Sequence, residues 1–120
     1  MAADFLDDAE IKRDVVGSDF AGHYADGRPW QEHYHVDEKL VYTEAGRSVD
    51  GNWTLKEGMF CTLYRGALSG GCWRLKRIGT NCFEFYDAGA ADRGAAARRL
   101  WTARGWRKEM APTCGAPQIS

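Results

Sequence analysis

Residues 59–77 read MFCTLYRGALSGGCWRLKR, with Cys61 and Cys72 on either side of a glycine-studded centre. Placing Gly66-Ala67 in a two-residue loop puts glycine at the first position of a type II′ turn. Arg65 then faces Leu68, and counting outward sets Cys61 opposite Cys72 and Phe60 opposite Trp73. Opposed residues of an antiparallel pair have Cα atoms about 4.5–5.5 Å apart, within reach of a disulfide. A turn at Gly70-Gly71 would leave both thiols unpaired. A slip of one residue reverses every side chain, so agreement between the thiol register and the aromatic register selects this hairpin.

The register extends in both directions. A three-residue Ile78-Gly79-Thr80 loop pairs Leu75 with Phe83 and Trp73 with Phe85. Phe60, Thr62, Tyr64, Trp73, Leu75, Phe83 and Phe85 then point inward, and Cys61, Cys72, Cys82, Arg74 and Lys76 outward. Upstream, an Asp37-Glu38-Lys39 loop pairs Val36 with Leu40 and Tyr34 with Tyr42. Trp30, Glu32, Tyr34, Val36, Leu40 and Tyr42 share the inner face, joined by Phe20, Tyr24, Trp53 and Leu55.

Turn chemistry recurs between these runs, at Asp26-Gly27, Ala45-Gly46, Asp50-Gly51-Asn52 and Glu57-Gly58. Frequent turns between short β-prone runs predict a mainly β fold, an antiparallel meander forming a small barrel or a sandwich. Seven strands are expected, over about 19–24, 30–36, 40–44, 51–56, 59–65, 72–77 and 81–86. Residues 1–120 form one domain, with a helix over 4–16 capped by Asp4 or Asp7, a β core over 19–86 and a C-terminal segment over 89–120. The alanine-rich run from Ala95 to Arg104 predicts a helix stopped by Gly105, with a final strand as the alternative.

Net charge is −1, with 16 basic and 17 acidic residues, so a nucleic-acid partner is not expected. No apolar run approaches the roughly 18 residues that span a bilayer. Four cysteines without a C-x-x-C spacing point to two disulfides and an oxidising compartment. With Cys61 bonded to Cys72, Cys82 pairs with Cys114 and pins the tail to the sheet. The opening MAADFLDDAE has neither a basic start nor an apolar stretch, so a periplasmic or secreted protein would have lost its leader before this start.

Gly22, Asp26-Gly27, Gly51-x-Trp53, Cys61, Gly71-Cys72-Trp73 and Asn81-Cys82-Phe83-Glu84-Phe85-Tyr86 follow one another across residues 17–87. This order resembles a group of small proteins exported to the periplasm of alphaproteobacteria and classed as a domain of unknown function. The Gly51-Asn52-Trp53 motif is also similar, more loosely, to the early Gly-x-Trp of calycins, the lipocalin and avidin-like barrels. The resemblance implies export and a β fold, and it implies no reaction.

The inner face supplies the candidate ligand site: Trp30, Glu32, Tyr34, Tyr42, Trp53 and Trp73. A carboxylate among aromatic rings has a raised pKa, and it can orient a cationic or hydroxylated ligand. At an edge position Glu32 would instead pair with Arg28 or Arg47. The leading reading is a non-catalytic domain that binds a small molecule or a partner protein. One alternative is a small-barrel enzyme with Glu32 as general acid or base. Such an enzyme could instead use metal chemistry, with His23, His33 and His35, which project from one sheet face, holding a transition metal or haem iron. A third reading is a structural or inhibitor module of the cell envelope.

Overall fold

The computed structural model describes residues 5–66 and 70–115. Helix α1 (Asp8–Asp14) comes first, followed by strands β1 (Asp19–Tyr24), β2 (Pro29–Tyr34), β3 (Lys39–Glu44), β4 (Arg47–Lys56), β5 (Met59–Tyr64), β6 (Gly71–Arg77) and β7 (Phe83–Asp87). A short helix α2 (Ala88–Asp92) and a last strand β8 (Ala103–Arg107) complete the chain. Each strand pairs antiparallel with its successor, and β8 returns to β1, closing an eight-stranded barrel. Closure leaves no free sheet edge among the described strands.

The opening hairpin has the expected register, with Phe60 opposite Trp73 and Cys61 opposite Cys72. Its proposed turn residues Ala67 and Leu68 lie outside the described residues, as does the candidate cap Asp4. Both disulfides are formed, Cys61–Cys72 and Cys82–Cys114. Two other hairpins differ from expectation by two residues. Tyr34 faces Leu40 rather than Tyr42, and Leu75 faces Phe85 rather than Phe83. Both loops keep three residues but sit one residue away from the expected place, at 36–38 and 79–81, because His35 N–H closes on Lys39 O and Ile78 N–H on Cys82 O. A shift of two preserves the inward and outward sets, since side chains alternate with period two. Val36 does not stay on the inner face: it falls in the displaced loop and is 78% exposed. Asp50-Gly51-Asn52, read as a turn, lies within β4. There Gly51 faces Leu40 on β3 and Tyr64 on β5.

The C-terminal segment departs further. Residues 93–99 are turns, and Ala103-Arg104-Gly105 belong to β8, not to a helix. Helix propensity loses here to the pairing that the edges of β1 and β7 otherwise lack. Asn81 fixes this return. Its fully buried side-chain amide donates to the carbonyls of Arg107, Met110 and Ala111, and its Oδ1 accepts from Arg107 N–H. The nearby Cys82–Cys114 disulfide ties down the same stretch.

The barrel has two unlike ends. At the end carrying the β2–β3, β4–β5 and β6–β7 loops, α1 lies across the opening. Asp7 caps the helix in a reciprocal capping box with Glu10. Asp8 accepts from Glu57 N–H and Gly58 N–H in the β4–β5 turn, and Leu6 N–H donates to Leu75 O. Leu6, Ile11 and Val15 enter the same core as Phe20, Tyr34, Phe60, Leu75 and Phe83. Gly17 ends the segment with φ +85°, a conformation that costs glycine little, and donates to Tyr34 O. The opposite end, ringed by the β1–β2, β3–β4, β5–β6 and β7–β8 connections, holds the candidate site.

Candidate functional site

A cavity of about 50 Å³ opens at this second end. Its walls are Tyr24, Trp30, Tyr42, Tyr64, Trp73 and Phe85, with Thr62, Thr102 and Ala103 completing the lining. Glu32 and Tyr34 lie deeper, and both are almost fully buried. Strand alternation places them together: Glu32 and Tyr34 are two apart on β2, and Glu32 faces Tyr42 across β3.

Two glycines shape one wall. Gly22 faces Trp30 across β1–β2 and Gly105 across β1–β8. A Cβ on Gly22 would fall 2.6 Å from Trp30 Cζ2, and one on Gly105 would fall 2.7 Å from Trp30 Cη2. The missing side chains make room for the indole against both strands. The Trp30 indole N–H is buried and has no acceptor among the described residues. Trp73 on β6 donates its indole N–H to Thr62 Oγ1 at 3.3 Å.

Glu32 is the chemical centre. Tyr34 Oη–H donates to Oε1 at 2.7 Å, and Tyr64 Oη–H donates to Oε2 at 2.6 Å. Neither Arg28 nor Arg47 forms an ion pair with it; Arg28 instead pairs with Asp26 and Glu44 at the rim. Burial pushes the Glu32 carboxyl up to about 7, against the pull of the two tyrosine hydrogen bonds. Tyr34 and Tyr64 are raised by burial and then by the Glu32 charge. Nearer the rim, the hydroxyls of Tyr24 and Tyr42 are hydrogen-bonded to each other, and Tyr42 donates to Glu44. The Arg28 guanidinium lies 4.7 Å from the Tyr24 ring centre.

Five of the six residues expected at the site, Trp30, Glu32, Tyr34, Tyr42 and Trp73, surround this cavity. Trp53 does not. Its indole N–H donates to His35 O at 2.7 Å, toward the α1 end. Tyr24, Tyr64 and Phe85 were legible as inward residues, but nothing local marked them as cavity lining. Thr102 and Ala103 come from the segment read as helix, and only the closure through β8 brings them in.

The histidines share the outer face but not a location. His33 Nδ1 lies 2.9 Å from Asp19 Oδ1, and the His33 and His35 rings are 4.3 Å apart. His23, paired with Pro29 at the other end of the β1–β2 ribbon, packs on Trp101 and Trp106. Among the described residues, no group of three His, Cys, Asp or Glu side chains is arranged to hold a metal ion. None of the helices among them is long and apolar enough to cross a membrane.

No protein-family model, curated protein or solved structure matches this chain.

Proposed function

We propose that this disulfide-bonded barrel is exported and binds a small ligand in its open-end cavity, without chemistry of its own. The observation that carries this reading is the cavity itself, with aromatic walls and a buried hydrogen-bonded carboxyl at its base. Concave, mostly apolar sites with a few convergent polar groups are the usual form of small-molecule sites. The two disulfides support export, since such bonds persist in oxidising compartments. A periplasmic setting agrees with the resemblance carried by the glycine, tryptophan and cysteine order.

The test is a fragment screen read by the indole N–H resonances of the tryptophans. A fragment in the cavity shifts Trp30 and Trp73, which line it, and leaves Trp53 unmoved because its indole is bonded at the far end. A screen in which no fragment moves Trp30 or Trp73 overturns the reading.

The position of the Glu32 carboxyl near neutrality favours a second reading, proton transfer to or from a bound molecule. Conversion of a fragment by the protein, abolished in Glu32→Gln, would put that reading first.

A further inference from the structure

Three carboxylate side chains are buried among the described residues: Asp14, Glu32 and Glu84. Two of them have arginine partners. Asp14 accepts from Arg13 Nε and Nη2, both at 2.8 Å, and from Arg77 Nη1 at 2.9 Å. Glu84 accepts from Arg104 Nε and Nη2 at 3.0 and 2.7 Å. Glu32 alone has only neutral donors, the two tyrosine hydroxyls. It is also the one that borders the cavity.

A buried charge without a counter-charge is costly, and folded proteins pair theirs or keep them neutral. None of the arginines at the open end pairs with Glu32: Arg47 and Arg65 are exposed, and the other two are committed elsewhere. Arg28 pairs with Asp26 and Glu44, and Arg104 lies on Glu84 and over the Trp101 ring at 4.4 Å. The free space beside Glu32 is therefore where its missing counter-charge belongs.

Aromatic rings narrow the class of cation. Electron-rich ring faces attract organic ammonium groups, and such groups shed water more readily than a small metal ion does. Tyr24, Trp30, Tyr42, Tyr64, Trp73 and Phe85 surround the space beside the carboxyl. An anionic ligand would be repelled by the ionised Glu32, and a neutral one would gain nothing from its charge.

We infer that the open-end cavity receives a small organic ammonium group, with Glu32 as its counter-charge and the aromatic wall as its cage. The inference rests on the ligand-binding reading above and names its ligand class. About 50 Å³ admits a head group, so the rest of a larger ligand extends through the mouth.

The test compares three probes on the oxidised protein: choline, methylammonium, and 3,3-dimethylbutan-1-ol, the uncharged carbon isostere of choline. Indole N–H shifts report binding and its location. At least one of the two cations should move Trp30 and Trp73, and the tighter of them should bind about tenfold or more tightly than the isostere. Glu32→Gln should abolish that preference, bringing the cation down to the affinity of the isostere. The comparison in the unaltered protein decides the matter even if the variant does not fold. Equal affinity for cation and isostere overturns the ammonium inference and leaves the ligand-binding reading standing. Failure of both cations to move Trp30 or Trp73 also overturns it. The fragment screen then decides separately whether the cavity binds anything else.

Discussion

At the end of the barrel covered by α1, the buried carboxylate Asp14 sits between Arg13 and Arg77. At the open end, the buried carboxylate Glu32 sits between Tyr34 and Tyr64. The first pair of neighbours holds Asp14 below the usual carboxylate range, chiefly through the hydrogen bonds from Arg13. The second cannot offset burial, so Glu32 rises to about 7. The covered end is also filled, with Ile11 and Val15 fully buried in the core, whereas the open end keeps free space. One end is finished by the chain itself. The other keeps a cavity of about 50 Å³.

Four measurements test this contrast, the largest effect first. Severing Cys82–Cys114 with Cys114→Ser should cost roughly 4 kcal/mol in denaturant unfolding, the loop-closure value for its sequence separation of 32. The Cys61–Cys72 link, with a separation of 11, should be worth roughly 3 kcal/mol. An equal or reversed order would show that the return of β8 does not depend on its staple.

Ile11→Ala at the covered end should cost roughly 3 kcal/mol, as for other large-to-small changes in filled cores. Trp73→Ala should cost less, because Trp73 is only partly buried and borders open space, but should weaken fragment binding strongly. A larger stability loss for Trp73→Ala would mean that the open end is core and not a cavity.

The third measurement is the pH dependence of stability. A carboxyl with a folded pKa of about 7 and an ordinary value of 4.5 holds its proton longer when folded than when unfolded. Below 4.5 both states are protonated and the group costs nothing. Between 4.5 and 7 the unfolded chain ionises first, so stability falls as pH rises, by roughly 3 kcal/mol in total. Above that range both states are ionised and the cost stays constant. Glu32→Gln should remove this slope, as seen by denaturant titrations at several pH values. Asp14 has the opposite sign, contributing stability that is present at neutral pH and lost in acid as its lowered pKa is crossed. An unchanged slope in Glu32→Gln would return Glu32 to the ordinary carboxylates.

The smallest effect is expected at the rim. Arg28 is well exposed and its ion pairs with Asp26 and Glu44 are screened, so Arg28→Ala should leave the denaturation midpoint nearly unchanged. A larger loss would assign the rim a structural role of its own.

The inward-facing set was legible because strand alternation tolerates errors of two residues. Two loops sit one residue away from their expected places, yet Tyr34, Leu40, Leu75 and Phe85 all keep their side of the sheet. The Cys61–Cys72 register was legible for a further reason: two thiols and two aromatics had to satisfy one pairing at once. Val36 was misplaced because a loop boundary, unlike alternation, is a local matter of a residue or two.

What the chain alone determined was therefore periodic: the β class, the faces, the disulfide pairing and the aromatic character of the interior. Tertiary structure decided what depends on partners far along the chain. Ala103 to Arg107 became a strand because β1 and β7 needed a neighbour, an interaction absent from any short window. Trp53 and Trp30 share the inner face, but closure sends one toward the α1 end and the other to the cavity. Whether Glu32 would meet an arginine was equally undecided, since both Arg28 and Arg47 stood as partners for it at an edge position. The fold gave Arg28 to the rim and left the buried carboxyl without a cation, because a charge is paired by position in space and not by order in the sequence.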